Sequence, residues 1–242
     1  MEFGKRNLTL EGIEMAHPKY SKKKIAKTID HSLLKPEMTR EEVRQGCEIA
    51  KKYDVASVCC KPSDVAFCAE ILKGTDVEIG TVVGFPHGSS ATSTKVFETK
   101  QAITDGATEI DMVLNIGLLK SGLYDDVKSD IAAVVQAAGG KMVKVILENA
   151  YLTDQEKITA CQLCEQAGAH YVKTSSGYAP TGATVADVKL MRAAVSPKVK
   201  VKSAGGVRTL DALIEMLDAG VERSGATTTS AMLDEYTQRF GD

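Results

Sequence analysis

The sequence predicts an α/β fold, a single (β/α)8 barrel of the TIM type. Short β-prone apolar runs alternate with helical patterns along the whole chain, and that alternation implies a parallel sheet. Eight such units fit within 242 residues with short connections and no low-complexity linker, which favours a closed barrel. No GxGxxG follows the first strand and no P-loop occurs, which argues against an open doubly wound nucleotide-binding sheet. Residues 1–20 read as an N-terminal arm or short helix covering one end, and residues 21–242 as the barrel.

The first strand is expected over residues 25–31. Thr39, Arg40, Glu41 and Glu42 have the form of a capping box, opening a helix with Val43, Cys47 and Ala50 at helical spacing. Residues 55–60 form the second strand, and Pro62 starts the next helix. The third strand spans 78–85, followed by a helix over 92–105 that Gly106 ends. The fourth spans 109–114, followed by one long helix with Val127, Ile131 and Val134 on a face. The fifth spans 141–148, and Thr153 to Glu156 repeat the capping box. The sixth spans 170–174, with a helix over 184–194. The seventh spans 199–203, with a helix carrying Leu210, Leu213, Ile214 and Leu217 and stopped by Gly220. A short eighth strand over 221–226 and a helix over 229–240 complete the series.

Composition narrows the function classes. The net charge is −2 and the charges are interspersed, so no nucleic-acid footprint or polybasic membrane patch stands out. No apolar run reaches the roughly 18 residues of a membrane span. No apolar signal-peptide core opens the chain, so a cytoplasmic location is expected. Cys47, Cys59, Cys60, Cys68, Cys161 and Cys164 are then free thiols by default. Cys161 and Cys164 form a lone CxxC within a helical pattern and read as core packing. His17, His31, His87 and His170 are scattered without ligand-spaced partners, so no metal is expected.

In such barrels the chemistry sits at the C-terminal ends of the strands. The polar residues expected there are Asp30, Cys59, Asp111, Asn115, Glu148, Lys173 and Lys202. Lys173 closes a strand-like run in HYVKTSSG, and Lys202 closes the next in VKVKSAGG. Burial favours the neutral form of an ammonium, and a like charge beside it does the same, so paired lysines make one of them a nucleophile. Asp111 in the same pocket can hold the remaining charge or move protons. Side chains alternate along a strand, which gives Lys200 the parity of Lys202 and leaves it an oddity.

A phosphate cradle is expected beside the lysines. Gly205 and Gly206 follow the seventh strand, and Thr227 and Thr228 follow the eighth. Barrels bind phosphate at these two loops, where backbone N–H groups approach the anion. Asp30, Cys59, Thr174 and Ser176 complete the candidate substrate contacts.

The motifs IDHSLLKP, SVCCKPSDV, TVVGFPHG, EIDMVLNIG, KVILE, YVKTSSG, VKSAGGVRT and SGATTT closely resemble, in order and over nearly the whole chain, the deoxyribose-phosphate aldolase family. The resemblance implies a class I aldolase on a (β/α)8 barrel. Such an enzyme reversibly cleaves 2-deoxy-D-ribose 5-phosphate to D-glyceraldehyde 3-phosphate and acetaldehyde, without a cofactor. It implies Lys173 as the Schiff-base lysine, Lys202 as its activating neighbour and Asp111 as the proton-shuttling acid. Cys59 matches a cysteine beside the pocket, and Gly205, Gly206, Thr227 and Thr228 match the phosphate loops. The expected partners are a phosphorylated sugar and an aldehyde, and further copies of the chain in a dimer or tetramer.

Three departures stand out: Ser176 where many members have threonine, Ser-Ala after Lys202, and threonines rather than serines after the eighth strand. The competing readings are another lysine-dependent aldolase or transaldolase, a metal-dependent aldolase, and a non-catalytic sugar-phosphate-binding barrel.

Overall fold

The computed structural model describes residues 18–241. The segment read as an N-terminal arm lies almost wholly outside the described residues, as does His17. Eight parallel strands close into a barrel in chain order, with the last paired to the first. They are β1 (Ile29–Leu33), β2 (Ser57–Cys60), β3 (Glu78–Val83), β4 (Glu109–Val113), β5 (Met142–Ile146), β6 (Tyr171–Lys173), β7 (Lys200–Ala204) and β8 (Arg223–Ala226).

Helices stand between the strands. A short α1 (Lys22–Ala26) precedes the barrel, followed by α2 (Arg40–Lys52), α3 (Val65–Ile71), α4 (Thr92–Thr104), α5 (Ile116–Lys120), α6 (Tyr124–Ala137), α7 (Asp154–Gln166), α8 (Val185–Ala194), α9 (Leu210–Asp218) and α10 (Thr229–Phe240). Both capping boxes form: Thr39 and Thr153 each accept an N–H from the glutamate three residues on, at 3.3 Å, and each glutamate accepts the threonine N–H at 2.7 Å. Among the described residues no helix is long and apolar enough to cross a membrane.

Several boundaries differ from the sequence reading. Residues 25–31 do not form one strand, because Ile25 and Ala26 belong to α1, which Ser21 caps by accepting the Lys24 N–H. The run of lysines at 22–24 hid this helix. Its start is held to the far end of the barrel: Tyr20 donates to Asp218 Oδ1 at 2.7 Å and its carbonyl accepts from Tyr236. The long helix after β4 is two helices, broken where Gly122 takes φ +74°. β7 begins at Lys200, whose side chain therefore reaches solvent at the strand's N-terminal end and pairs with Glu222 at 3.0 Å, resolving the parity oddity.

The hydrophobic core lies between sheet and helices, and alternation along the strands builds it. Val58 and Cys60, Ile110 and Met112, Val143 and Val145, and Val201 belong to this core. Cys161 and Cys164 pack there too, fully buried on α7. The opposite parity faces the barrel axis, and much of it is charged. A second charged element ties α4 to α6 and β4. Fully buried Lys95 pairs with Asp130 at 2.6 Å and donates to the Val113 carbonyl at 3.0 Å, while Thr92 donates to Asp130 at 2.7 Å.

Candidate active site

The register of the barrel brings the predicted residues together. Lys173 of β6 is the direct register partner of Lys202 on β7. Two strands away, Asp111 reaches both: its Oδ2 accepts from Lys173 Nζ and from Lys202 Nζ, each at 2.7 Å. Lys202 also pairs with Asp30 Oδ2 at 2.5 Å. All four side chains are at most 3% exposed, so their charges interact in a low-dielectric interior.

The environment separates the two lysines. Burial drives Lys173 toward its neutral form; Asp111 opposes this and the Lys202 charge reinforces it, and the net pKa lies below the ordinary lysine value. Burial acts on Lys202 as well, but Asp111 and Asp30 outweigh it and hold its pKa above the ordinary value. Burial would raise Asp111, yet Lys144, Lys173 and Lys202 hold it well below the carboxylate range. Asp111 is thus a bridging counter-ion in this state. Burial, with Asp111 adding to it, pushes the Cys59 thiol up to about 11.

A cavity of about 530 Å³ opens at the C-terminal ends of the strands. Lys173, Asp30 and Cys59 form its floor, and Ser176, Gly205, Gly206 and Thr227 its wall. Lys202 and Asp111 stand behind Lys173 and do not line it. Thr174 is buried between β6 and β7, donating to the Ala204 carbonyl, and Thr228 donates to the Arg208 carbonyl. Neither of these two lines the cavity. Asn115 caps α5, accepting the Leu118 N–H at 3.1 Å. Glu148 takes φ +58° and accepts the Ser176 N–H at 3.0 Å, fixing the turn after β6. His31 is buried against Thr229 and His170 accepts the Val143 N–H, both structural contacts.

The glycines after β7 are required by geometry. Gly205 and Gly206 take φ +77° and +87°, the left-handed region that glycine enters freely. Gly182 packs so closely on this turn that an added Cβ would lie 2.2 Å from the Gly205 carbonyl oxygen. Ala183 donates its N–H to the same carbonyl at 2.9 Å. The loop after β6 therefore braces the glycine turn after β7.

Sequence reasoning missed part of the site. Tyr178 leans its edge on Phe85, ring centroids 5.5 Å apart, and donates to the Leu34 carbonyl at 2.8 Å across the cavity mouth. Arg208 and Lys35 bring positive charge to the rim. Inside the barrel, Glu109, Lys144 and Arg223 are buried beneath Asp111 and Asp30. A charged residue inside an apolar strand was the available signal, the same one that singled out Lys173.

A buried, neutral-leaning amine facing a cavity of this size is equipped to add to a carbonyl carbon. Known proteins resemble the chain over most of its length. The chain is 55% identical over 84% of its length to deoxyribose-phosphate aldolase of Staphylococcus epidermidis, covering 92% of that protein. It is 51% identical over 89% of its length to the enzyme of that name from Caldanaerobacter subterraneus, covering 94% of it. The solved tetrameric structure of deoxyribose phosphate aldolase from Aeropyrum pernix superposes with a TM-score of 0.84 at 27% identity, over 90% of this chain and 92% of that one. A family model described as DeoC/LacD family aldolase matches residues 24–238, the whole barrel with its paired lysines, and the chain belongs to that family.

Proposed function

We propose that this aldolase reversibly cleaves 2-deoxy-D-ribose 5-phosphate to D-glyceraldehyde 3-phosphate and acetaldehyde through a Schiff base on Lys173. One observation carries the assignment of the lysine. Of Lys144, Lys173 and Lys202, buried on adjacent strands, Lys173 lines the cavity and has the lowered pKa.

The Lys173 Nζ lone pair adds to C1 of the open-chain sugar, and loss of water gives an iminium. The C3 hydroxyl loses its proton to a water molecule in the cavity beside Lys173, with the Asp111–Lys202 pair behind that lysine as the proton reservoir. The C2–C3 electron pair moves into the iminium, and glyceraldehyde 3-phosphate departs with C3 to C5. The enamine left on Lys173 carries C1 and C2; protonation at C2 and hydrolysis release acetaldehyde and the free amine. Lys202, held charged by Asp111 and Asp30, keeps Lys173 neutral between turnovers. Gly205, Gly206 and Thr227 receive the phosphate, and Arg208 and Lys35 add rim charge. A cytoplasmic setting and assembly into a dimer or tetramer belong to this reading, and the six free, buried cysteines suit a reducing compartment.

Borohydride reduction in the presence of acetaldehyde tests it. The Lys173 peptide should gain a two-carbon unit by mass spectrometry. Labelling at Lys202 instead overturns the assignment.

A further inference from the structure

The buried charges of the barrel interior close into a ring. Asp111 Oδ1 lies 2.8 Å from Lys144 Nζ, which lies 2.7 Å from Glu109 Oε2. Glu109 Oε2 lies 2.8 Å from Arg223 Nη2, which lies 2.5 Å from Asp30 Oδ1. Asp30 Oδ2 lies 2.5 Å from Lys202 Nζ, which returns to Asp111 Oδ2 at 2.7 Å. Signs alternate all the way round, so each carboxylate is matched by one cation. Lys173 hangs outside this ring on Asp111 Oδ2 at 2.7 Å, and among the described residues it pairs with no other carboxylate.

We infer that Glu109 and Arg223, a layer below the cavity, are positioning residues for Lys173: they complete a charge-matched ring in which Lys173 is the supernumerary cation and therefore the one that gives up its proton. Without Arg223 the ring would have a carboxylate to spare, and Lys173 would fill the vacancy as an ammonium. Neither residue lines the cavity, and both are at most 11% exposed at the side chain, so neither meets substrate. The inference rests on the Schiff-base reading above. It extends the activating role from Lys202 alone to the whole buried network.

The other groups around Lys173 leave the count unchanged. Cys59 on β2 is a thiol held neutral. β3 sets Gly80 and Val82 beside Glu109 and Asp111, and its one charged residue, Glu78, is exposed at the start of the strand. Glu148, after β5, is turned to the Ser176 N–H. On β6 itself Tyr171 is neutral, with its pKa raised by burial. Lys35, Glu37 and Arg208 lie at the solvent rim, where water screens them.

The test is the acid limb of kcat/KM against pH, with borohydride trapping of acetaldehyde on Lys173 as a second readout. Arg223→Met should move the limb to higher pH by about one unit, and Glu109→Gln should move it to lower pH, the direction a single added or removed charge dictates. The double variant restores one excess cation and should bring the limb back toward its original place. A purely structural role would lower activity without opposite shifts, so limbs that stay in place, or move the same way, overturn the inference. Should Arg223→Met fail to fold by circular dichroism, the near-isosteric Glu109→Gln alone decides the sign, with Arg223→Lys expected to keep the original limb. An adduct on Lys202 in the unmodified enzyme would sink the Schiff-base reading itself, while an adduct on Lys173 with unmoved limbs would sink only this inference.

Discussion

Lys173 and Lys202 face each other in register across β6 and β7 and share a single acceptor oxygen, Asp111 Oδ2. One carboxylate oxygen cannot fully neutralise two ammonium groups, so the less well-paired lysine yields. That lysine is Lys173, because Lys202 has Asp30 as well.

Lys202→Leu should therefore move the acid limb of activity to higher pH. The sign follows from the active form: Lys173 reacts as the neutral amine, and removing a neighbouring cation leaves Asp111 to stabilise its ammonium, which raises its pKa. Burial still acts, so part of the lowering survives and alkaline pH should recover part of the rate. An acid limb that stays in place while activity collapses at every pH would make Lys202 a direct proton carrier. The variant also leaves Asp30 short of a partner and should lose about 3 kcal/mol of stability, measured by urea denaturation.

Strand alternation, capping boxes and the two terminal lysines were legible in the sequence because each rests on local chemistry. A capping box needs two residues three apart, and a lysine closing an apolar strand is conspicuous by its cost. The ring was not legible in this way. Lys144 and Arg223 are each a lone charge in a strand, Glu109 precedes Asp111 by two residues on β4, and what joins the three is the register of a closed barrel, a long-range property. The same holds for Gly182, whose close approach to Gly205 depends on two loops more than 20 residues apart. The placement of Thr174 and Thr228 was likewise not legible: their hydroxyls donate to the backbone carbonyls of Ala204 and Arg208, contacts that depend on how the loops fold.

Gly206→Asp should raise KM for deoxyribose 5-phosphate far more than for unphosphorylated deoxyribose. A Cβ at Gly206 meets nothing within 4 Å, so space is available, and aspartate tolerates the left-handed backbone better than most residues. The added carboxylate then repels the phosphate at the cradle. Equal losses on both substrates would place the phosphate elsewhere.

Lys95→Met should cost about 3–5 kcal/mol of stability, the usual consequence of leaving one partner of a buried ion pair behind. Asp130 would remain nearly enclosed with the Thr92 hydroxyl as its hydrogen-bond donor. Replacing both members, as Lys95→Met with Asp130→Leu, should cost clearly less than the two single changes added together. A double-mutant cycle in denaturant measures the difference, and additive losses would show that the pair is not coupled.

His31 should make the fold lose stability as pH falls from about 6.5 toward 4. Burial lowers its pKa from 6.5 to about 4, and its Nδ1 lies 2.8 Å from the Thr229 hydroxyl, which can donate to the neutral ring. The unfolded chain takes up the proton near pH 6.5, while the folded chain resists until about 4. Between those values the unfolded state binds more protons, so lowering the pH favours unfolding, by up to about 3 kcal/mol over the full interval. Asp30 and Asp111 have depressed pKa values, so their contribution is present above the ordinary carboxylate range and is lost only as pH falls through that range and below. It is common to the protein with and without His31. His31→Asn should thus be less stable near neutral pH, through lost packing, yet show a shallower decline between pH 6.5 and 4. Stability from urea denaturation at several pH values reads the two slopes, and parallel slopes would mean that the buried ring takes its proton without cost.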